Sequence, residues 1–302
     1  MGNRFGTFMT VVLLAGTAGC SKQAETKQAE TKQADVVAWL DGAPIRAEEV
    51  ALHLRPAPPR IGPEAPVDPR KAALEEALRV RLFAREGAKS GIHPSGAPAL
   101  VQATRVQAVI QQELTRNGIS AEAVGEAELQ RYFEEKKERL SKPKVHLSAI
   151  VVKEPEQAEA LLQKAAVASD EEFAALVASH SVHESSRGNA GHLAVVDDDG
   201  HGVEEELARV VVQMRRAGQV AGPVKASDGQ YYVLRAAKVE LTPPTWNEKT
   251  ATRIRNLYVI ERREQVLSQL AQQLRAGSEV KLDEANLAKL QVPSWQAYAA
   301  AH

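Results

Sequence analysis

The sequence predicts an α+β protein, a small mixed domain set between mostly helical segments. Three observations carry this. Long stretches with apolar residues at helical spacing lie on both sides of the chain's middle. Between them, V-H-L-S-A-I-V-V-K (Val145–Lys153) has the unbroken β-branched texture of a buried strand. Strand, helix, helix, loop, helix, strand and strand then follow in close succession, the pattern of a compact α+β unit.

The first residues are of another kind. Arg4 precedes an apolar run, Phe8 to Ala15, and a small-residue stretch that ends in Cys20. A basic start, a short apolar core and small residues make a secretory signal, and the run is too short to span a bilayer. Residues 1–19 are thus expected to be a signal peptide. T-A-G-C (Thr17–Cys20) resembles the lipobox of bacterial lipoproteins, although Thr17 stands where leucine is usual. The resemblance implies lipidation at Cys20 and, with Ser21 next, sorting to the outer membrane. A simple secreted chain with an incidental cysteine is the alternative. Myristoylation does not fit, because Gly6 stands where Ser or Thr is required. Cys20 is the single cysteine, so no intrachain disulfide is possible.

Residues 20–35 repeat K-Q-A-E-T without a large apolar side chain. Such a segment has no burial to offset its ordering entropy and reads as a polar tether, about 45–50 Å long at full extension. A frayed helix acting only as a spacer is the alternative.

Residues 36–141 are read as an N-terminal helical part. It opens with a hairpin about Asp41-Gly42, and a helix starts at Ala47. Pro56 to Pro69 is a proline-rich loop. Leu74, Leu78 and Leu82 mark the buried stripe of the next helix. Further helices are expected over Ala99–Arg116, stopped by Asn117-Gly118, and over Glu126–Leu140. At the other end, residues 241–302 contain an amphipathic helix, Trp246 to Leu274, expected to pack on the N-terminal part.

Within residues 142–240 the strand leads to a helix at Glu156–Ala168 and to a second at Asp170–Ser181, for which Asp170 is the expected cap. A loop rich in Gly, Ser and His runs from His183 to Gly202, followed by the short helix V-E-E-E-L-A-R-V-V-V-Q-M. Gly222 to Arg235 closes the unit through a turn at Asp228-Gly229.

Several of these strings resemble parvulin-type peptidyl-prolyl cis–trans isomerases. H-L-S-A-I-V-V-K follows the family's opening strand, and E-E-F-A-A-L-V-A-S-H-S its Asp-Phe-Ala-x-Leu-Ala helix. S-S-R-G-N-A-G-H-L is similar to its Gly-rich loop, A-G-Q-V-A-G-P-V-K to its Gly-Pro-Val turn, and G-Q-Y-Y-V-L-R to its closing Gly-Tyr-His-Ile-Ile-Lys strand. V-V-A-W-L-D-G-A-P-I and E-L-Q-R-Y-F-E-E-K-K-E-R-L extend the likeness to the periplasmic folding factors SurA and PrsA. The resemblance implies a parvulin-like domain, a small antiparallel sheet with surrounding helices, inserted in a mostly α-helical chaperone module. It further implies clients that are unfolded or proline-containing exported polypeptides, membrane attachment through the lipid, and no cofactor.

The family's catalytic positions fall on Ala149, His183 and Tyr231, where it carries histidine, cysteine or aspartate, and histidine. All three are substituted. His146 is no replacement, since three residues along a strand place it on the opposite face. Val203, Leu207 and Met214 align with the family's proline pocket; they are equally the buried face of a short amphipathic helix. Loss of the polar groups does not decide activity, because rotation about an Xaa-Pro bond needs no nucleophile and no obligatory proton transfer. The alternatives are a catalytically silent chaperone and a structural subunit of an envelope export or polysaccharide machine.

Lys+Arg at 38 against Asp+Glu at 39, with 4% aromatics, argue against nucleic acid. His180, His183, His192 and His201 beside Asp197–Asp199 could ligate a metal, but their spacing follows no zinc pattern and a solvated loop is favoured.

Overall fold

The computed structural model describes residues 35–58, 60–120, 122–294, 297–298 and 301. The expected signal, Cys20 and the expected tether up to residue 34 lie outside the described residues. β1 (Val36–Leu40) and β2 (Ala43–Arg46) form the expected hairpin, turning at Asp41 and Gly42, both with positive φ. A strand that the sequence does not announce, β7 (Val280–Leu282), pairs antiparallel with β1 on its other side. The result is a three-stranded sheet, β2-β1-β7, built from both ends of the described chain.

Helices α1 (Ala47–Ala51), α2 (Pro69–Lys89) and α3 (Pro98–Arg116) cover this sheet, and α4 (Glu126–Leu140) follows them in the chain. Asp68 caps α2 by accepting from the Arg70 amide at 3.0 Å, with Pro69 in the first turn, where a missing N–H costs nothing. Leu74, Leu78 and Leu82 pack with Val37, Ile45 and Val50 in one buried cluster. The long α9 (Glu248–Ala276) closes that cluster with Leu267 and Leu274. Its first half packs on α4 instead, where Phe133 meets Trp246 and Tyr132 meets Tyr258 edge-on, each at 5.3 Å. α9 therefore belongs to two cores at once. A short α10 (Glu284–Ala288) follows β7.

Between α4 and α9 lies a second sheet of order β4-β3-β6-β5, fully antiparallel. Its strands are β3 (Lys142–Val152), β4 (His192–Val196), β5 (Val220–Lys225) and β6 (Tyr231–Thr242). One face carries Ile150, Val152 and Val233 under α5 (Pro155–Ala165) and α6 (Asp170–His180). The other carries Val145, Leu147, Ala149 and Val151 under α8 (Glu205–Val211). Both faces are covered, which is why the strand reads as a continuous apolar run rather than an alternating one.

The expected cap of α6 is corrected. Ser169, not Asp170, takes that role: its Oγ accepts from the Glu172 amide, and the Glu172 carboxylate returns the bond to the Ser169 amide. That reciprocal pair satisfies two orphan N–H groups, which Asp170 inside the first turn cannot do. Asp170 is engaged elsewhere, accepting from the Arg235 guanidinium at 2.8 Å.

Candidate functional site

The site face is that of β3 and β6 beneath α8. Ala149 lies opposite Leu234, and Val151 opposite Tyr232. Side chains alternate along a strand, so Ala149, Val151, Tyr232 and Leu234 share one face. Leu207 of α8 and Met214 just after it seal this face, and Val203 packs at its margin. Four of the six expected positions, Ala149, Val203, Leu207 and Met214, thus come together in one apolar cluster.

Tyr231 does not join them. It pairs with Val152 and packs against the α5–α6 side of the sheet, its ring 5.9 Å from Lys225 Nζ. Tyr232 stands on the site face in its place. A one-residue offset in register reverses the face of every side chain. The signal was present: matching the family's Ile-Ile-Lys to Val233-Leu234-Arg235 puts its histidine on Tyr232.

His183 precedes the single turn α7 (Glu184–Arg187), with Nδ1 2.9 Å from the Ser186 hydroxyl. The segment that carries it flanks β3 closely. The Val151 amide donates to Ser181 Oγ at 3.1 Å, the Val182 amide to the Val151 carbonyl at 2.8 Å, and the Ala149 amide to the Gly191 carbonyl at 2.9 Å. Gly191 is required there: its φ is +81°, and a Cβ would stand 2.9 Å from the Ala149 oxygen.

The site is nearly closed. Ala149 and Met214 are 0% exposed, Leu207 2% and Tyr232 6%. Tyr232 supplies its one phenol, which donates to Asp228 Oδ2 at 3.0 Å. Burial, reinforced by that bond, pushes the Tyr232 pKa up to about 12, so the ring is neutral at physiological pH. Acid–base chemistry near neutrality has no agent among these side chains. What the face offers is an apolar surface, a phenol oxygen that can accept, and backbone of β3 held in place by its flanking loop.

His180, His192 and His201 do not gather with His183. His201 lies 3.9 Å from Asp197, while Asp198 is bound by Lys142 at 2.6 Å. Among the described residues, no group of three or more His, Cys, Asp or Glu side chains is placed to hold a metal ion.

A four-stranded antiparallel sheet wrapped by short helices, with this strand order of motifs, defines a parvulin-type domain, and residues 124–251 match the PPIC-type PPIASE domain. Residues 124–251 are thus similar to parvulin-type domains, and part of the chain is similar to foldase protein PrsA. Foldase protein PrsA of Clostridium kluyveri is 24% identical over 166 residues, 54% of this chain and 48% of that protein. The chain thus spans about half the length of the curated relatives it matches. Among solved structures, foldase protein PrsA from Streptococcus pneumoniae is 16% identical with a TM-score of 0.29, covering 72% of this chain and 88% of that one. A structure from the study of PEB4 and Cj1289, two SurA-like chaperones of Campylobacter jejuni, is 9% identical with a TM-score of 0.33, covering 82% and 99%.

Proposed function

We propose that this chain is a lipid-anchored folding factor of the bacterial cell envelope that accelerates prolyl isomerisation in unfolded exported polypeptides. The observation that supports it best is the convergence of Ala149, Val203, Leu207, Met214 and Tyr232 on one face of a parvulin-type sheet. Rotation about an Xaa-Pro bond meets a barrier of about 18–20 kcal/mol that arises from amide resonance. An apolar face that binds the twisted, less resonant amide better than either planar form lowers that barrier without covalent chemistry. Tyr232 is the polar group in reach of such an amide. Lipidation at Cys20 would hold the domain at the membrane through the tether. No described helix is long and apolar enough to cross a membrane.

A second reading has its own support. Leu207 and Met214 are so completely buried that they serve the core as much as a pocket. On that reading the domain is a catalytically silent chaperone that holds unfolded clients.

The two readings separate in a refolding experiment with an unfolded protein whose slow phase is limited by proline. An isomerase raises the rate of that phase at catalytic amounts of chain. A silent chaperone raises only the yield, at stoichiometric amounts. Absence of both effects would refute the folding-factor proposal. Mass spectrometry of chain made in a bacterium tests the anchor: acyl groups on Cys20 are expected, and an unmodified cysteine would refute it.

A further inference from the structure

β5 is the outer strand of the four-stranded sheet, and an outer strand presents unpaired backbone groups. Here part of that edge is met by the proline-rich segment from the N-terminal side of the chain. Gly62 N–H donates to the Val220 carbonyl at 2.6 Å, and Gly222 N–H donates to the Arg60 carbonyl at 3.0 Å. Ile61 forms an antiparallel bridge with Ala221 and packs on the cluster that holds Ala149, Leu207 and Met214.

Side chains fix the register. The Arg60 guanidinium donates to both oxygens of Glu159 on α5, at 3.0 and 2.8 Å, and its other nitrogen donates to the Pro63 carbonyl at 3.0 Å. Gln163 donates to the same carbonyl at 3.1 Å. The ion pair pulls the Glu159 pKa below the ordinary carboxylate range. Alongside lies an open cavity of about 760 Å³, bounded by Pro58 and Pro66 of the segment and by Val210, Val224 and Lys225.

The pairing is short by construction. Prolines at 58, 63 and 66 cannot donate ladder bonds, so the strand cannot lengthen in either direction. Gly222, with φ +119°, approaches the Tyr232 carbonyl so closely that a Cβ would lie 2.6 Å from it, which breaks the regular edge at this point. Two backbone hydrogen bonds, one ion pair, one bond from Gln163 to the Pro63 carbonyl and one aliphatic side chain make a contact that another extended chain can replace in kind. The mode is strand addition, with main-chain bonds for affinity and alternate side chains for selectivity.

We propose that the β5 edge and Glu159 form a docking site for extended polypeptide segments with a basic residue, an aliphatic residue and a following proline, spaced as in Arg60-Ile61-Gly62-Pro63. The chain's own segment fills this site as a displaceable stand-in. Clients compete with it, so their apparent affinity is lowered by the fraction of time the site is open. That the competitor is an unfolded client rests on the folding-factor reading; the site and its occupant do not.

The test uses the full chain and a fluorescein-labelled peptide with the sequence of residues 57–66, read by anisotropy. Arg60→Ala/Ile61→Ser loosens the chain's own segment. The expected results are a Kd at least tenfold lower than for wild type and loss of hydrogen-exchange protection at the Gly222 amide. Adding Glu159→Gln should reverse the gain at least tenfold. Arg60→Ala alone, which keeps Ile61 in the core, should shift the same way by less, and serves if the double variant loses its unfolding transition. Continued protection of Gly222 in the loosened chain would make the segment a fixed strand and overturn the proposal. Unchanged affinity, or binding indifferent to Glu159→Gln, would overturn it as well. Refolding by wild type without the peptide reads the folding-factor proposal separately; rate enhancement there with no peptide gain would sink this inference alone.

Discussion

Leu207→Ala decides whether α8 presents a pocket or a core. Leu207 is 2% exposed and packs with Ala149, Val210, Val211 and Met214, so its truncation leaves a cavity rather than a solvated dent. Buried Leu→Ala changes cost 2–5 kcal/mol depending on how far the site collapses. α8 is a short helix between loops, which permits some collapse, so a cost of about 3 kcal/mol is expected. With an m-value of about 1.5 kcal/mol/M, urea unfolding followed by far-UV circular dichroism should show the midpoint fall by about 2 M. Val203→Ala, at a partly buried position, should cost about 1 kcal/mol. A Leu207→Ala cost below about 1 kcal/mol would show that the side chain gives up little packing, and the closed-face description would be wrong. The same burial makes Leu207→Asp a poor probe of binding, because an unpaired carboxylate there would unfold the domain before any client was tested.

Four further outcomes follow from the geometry. Tyr232→Phe should cost about 1 kcal/mol by losing the bond to Asp228, whereas Tyr231→Phe should be neutral; equal costs would contradict the face assignment. The raised Tyr232 pKa is a contribution to stability fully present below pH 10 and lost as pH rises through about 12, so alkaline titration of tyrosinate absorbance should show late-ionising rings, with one fewer in Tyr232→Phe. Arg235→Ala should cost about 2 kcal/mol, since the buried guanidinium lies 5.3 Å over Phe173 and donates to Asp170 and the Ala168 carbonyl. Asp170→Ala removes only the exposed end of that pair and should cost about 1 kcal/mol or less. Gly191→Ala should cost about 3 kcal/mol from left-handed strain and overpacking against Val177 and Ala149, and Gly188→Ala, where a Cβ meets nothing, within about 0.5 kcal/mol; both are read from thermal melts.

Where local rules act alone, the fold was legible. The leucine stripe of α2, the Asp-Gly hairpin and the apolar run of β3 each follow from spacing or turn chemistry within a few residues. Ser169 to Glu172 also carries a capping-box signature, and passing over it misplaced the cap by one position. β7 and β4 were not legible for a different reason. V-K-L is too short to show a period, and β4 sits in a stretch otherwise full of Gly, His and Asp. Both become strands because β1 and β3 offer them ladders, a condition only the folded chain satisfies. Ala149, Val203, Leu207 and Met214, placed by family likeness alone, share one cluster in the fold. Tyr231 and Tyr232 differ by one residue, which is enough to put them on opposite sheet faces, and only the folded register shows which one joins Ala149. Pro56–Pro69 read as a loop, correctly as to its prolines, but its seat on β5 depends on Glu159 and Val220, roughly 100 and 160 residues further along the chain.

The measurement that tests the central claim most directly is two-dimensional exchange NMR on a panel of Xaa-Pro peptides with varied residues before proline. The account predicts cis–trans exchange cross-peaks with catalytic amounts of the wild-type chain, weakened by Val203→Asp at the open margin of the site. Absence of exchange across the panel, with peptide binding retained, would contradict it and leave a domain that holds clients without turning them over.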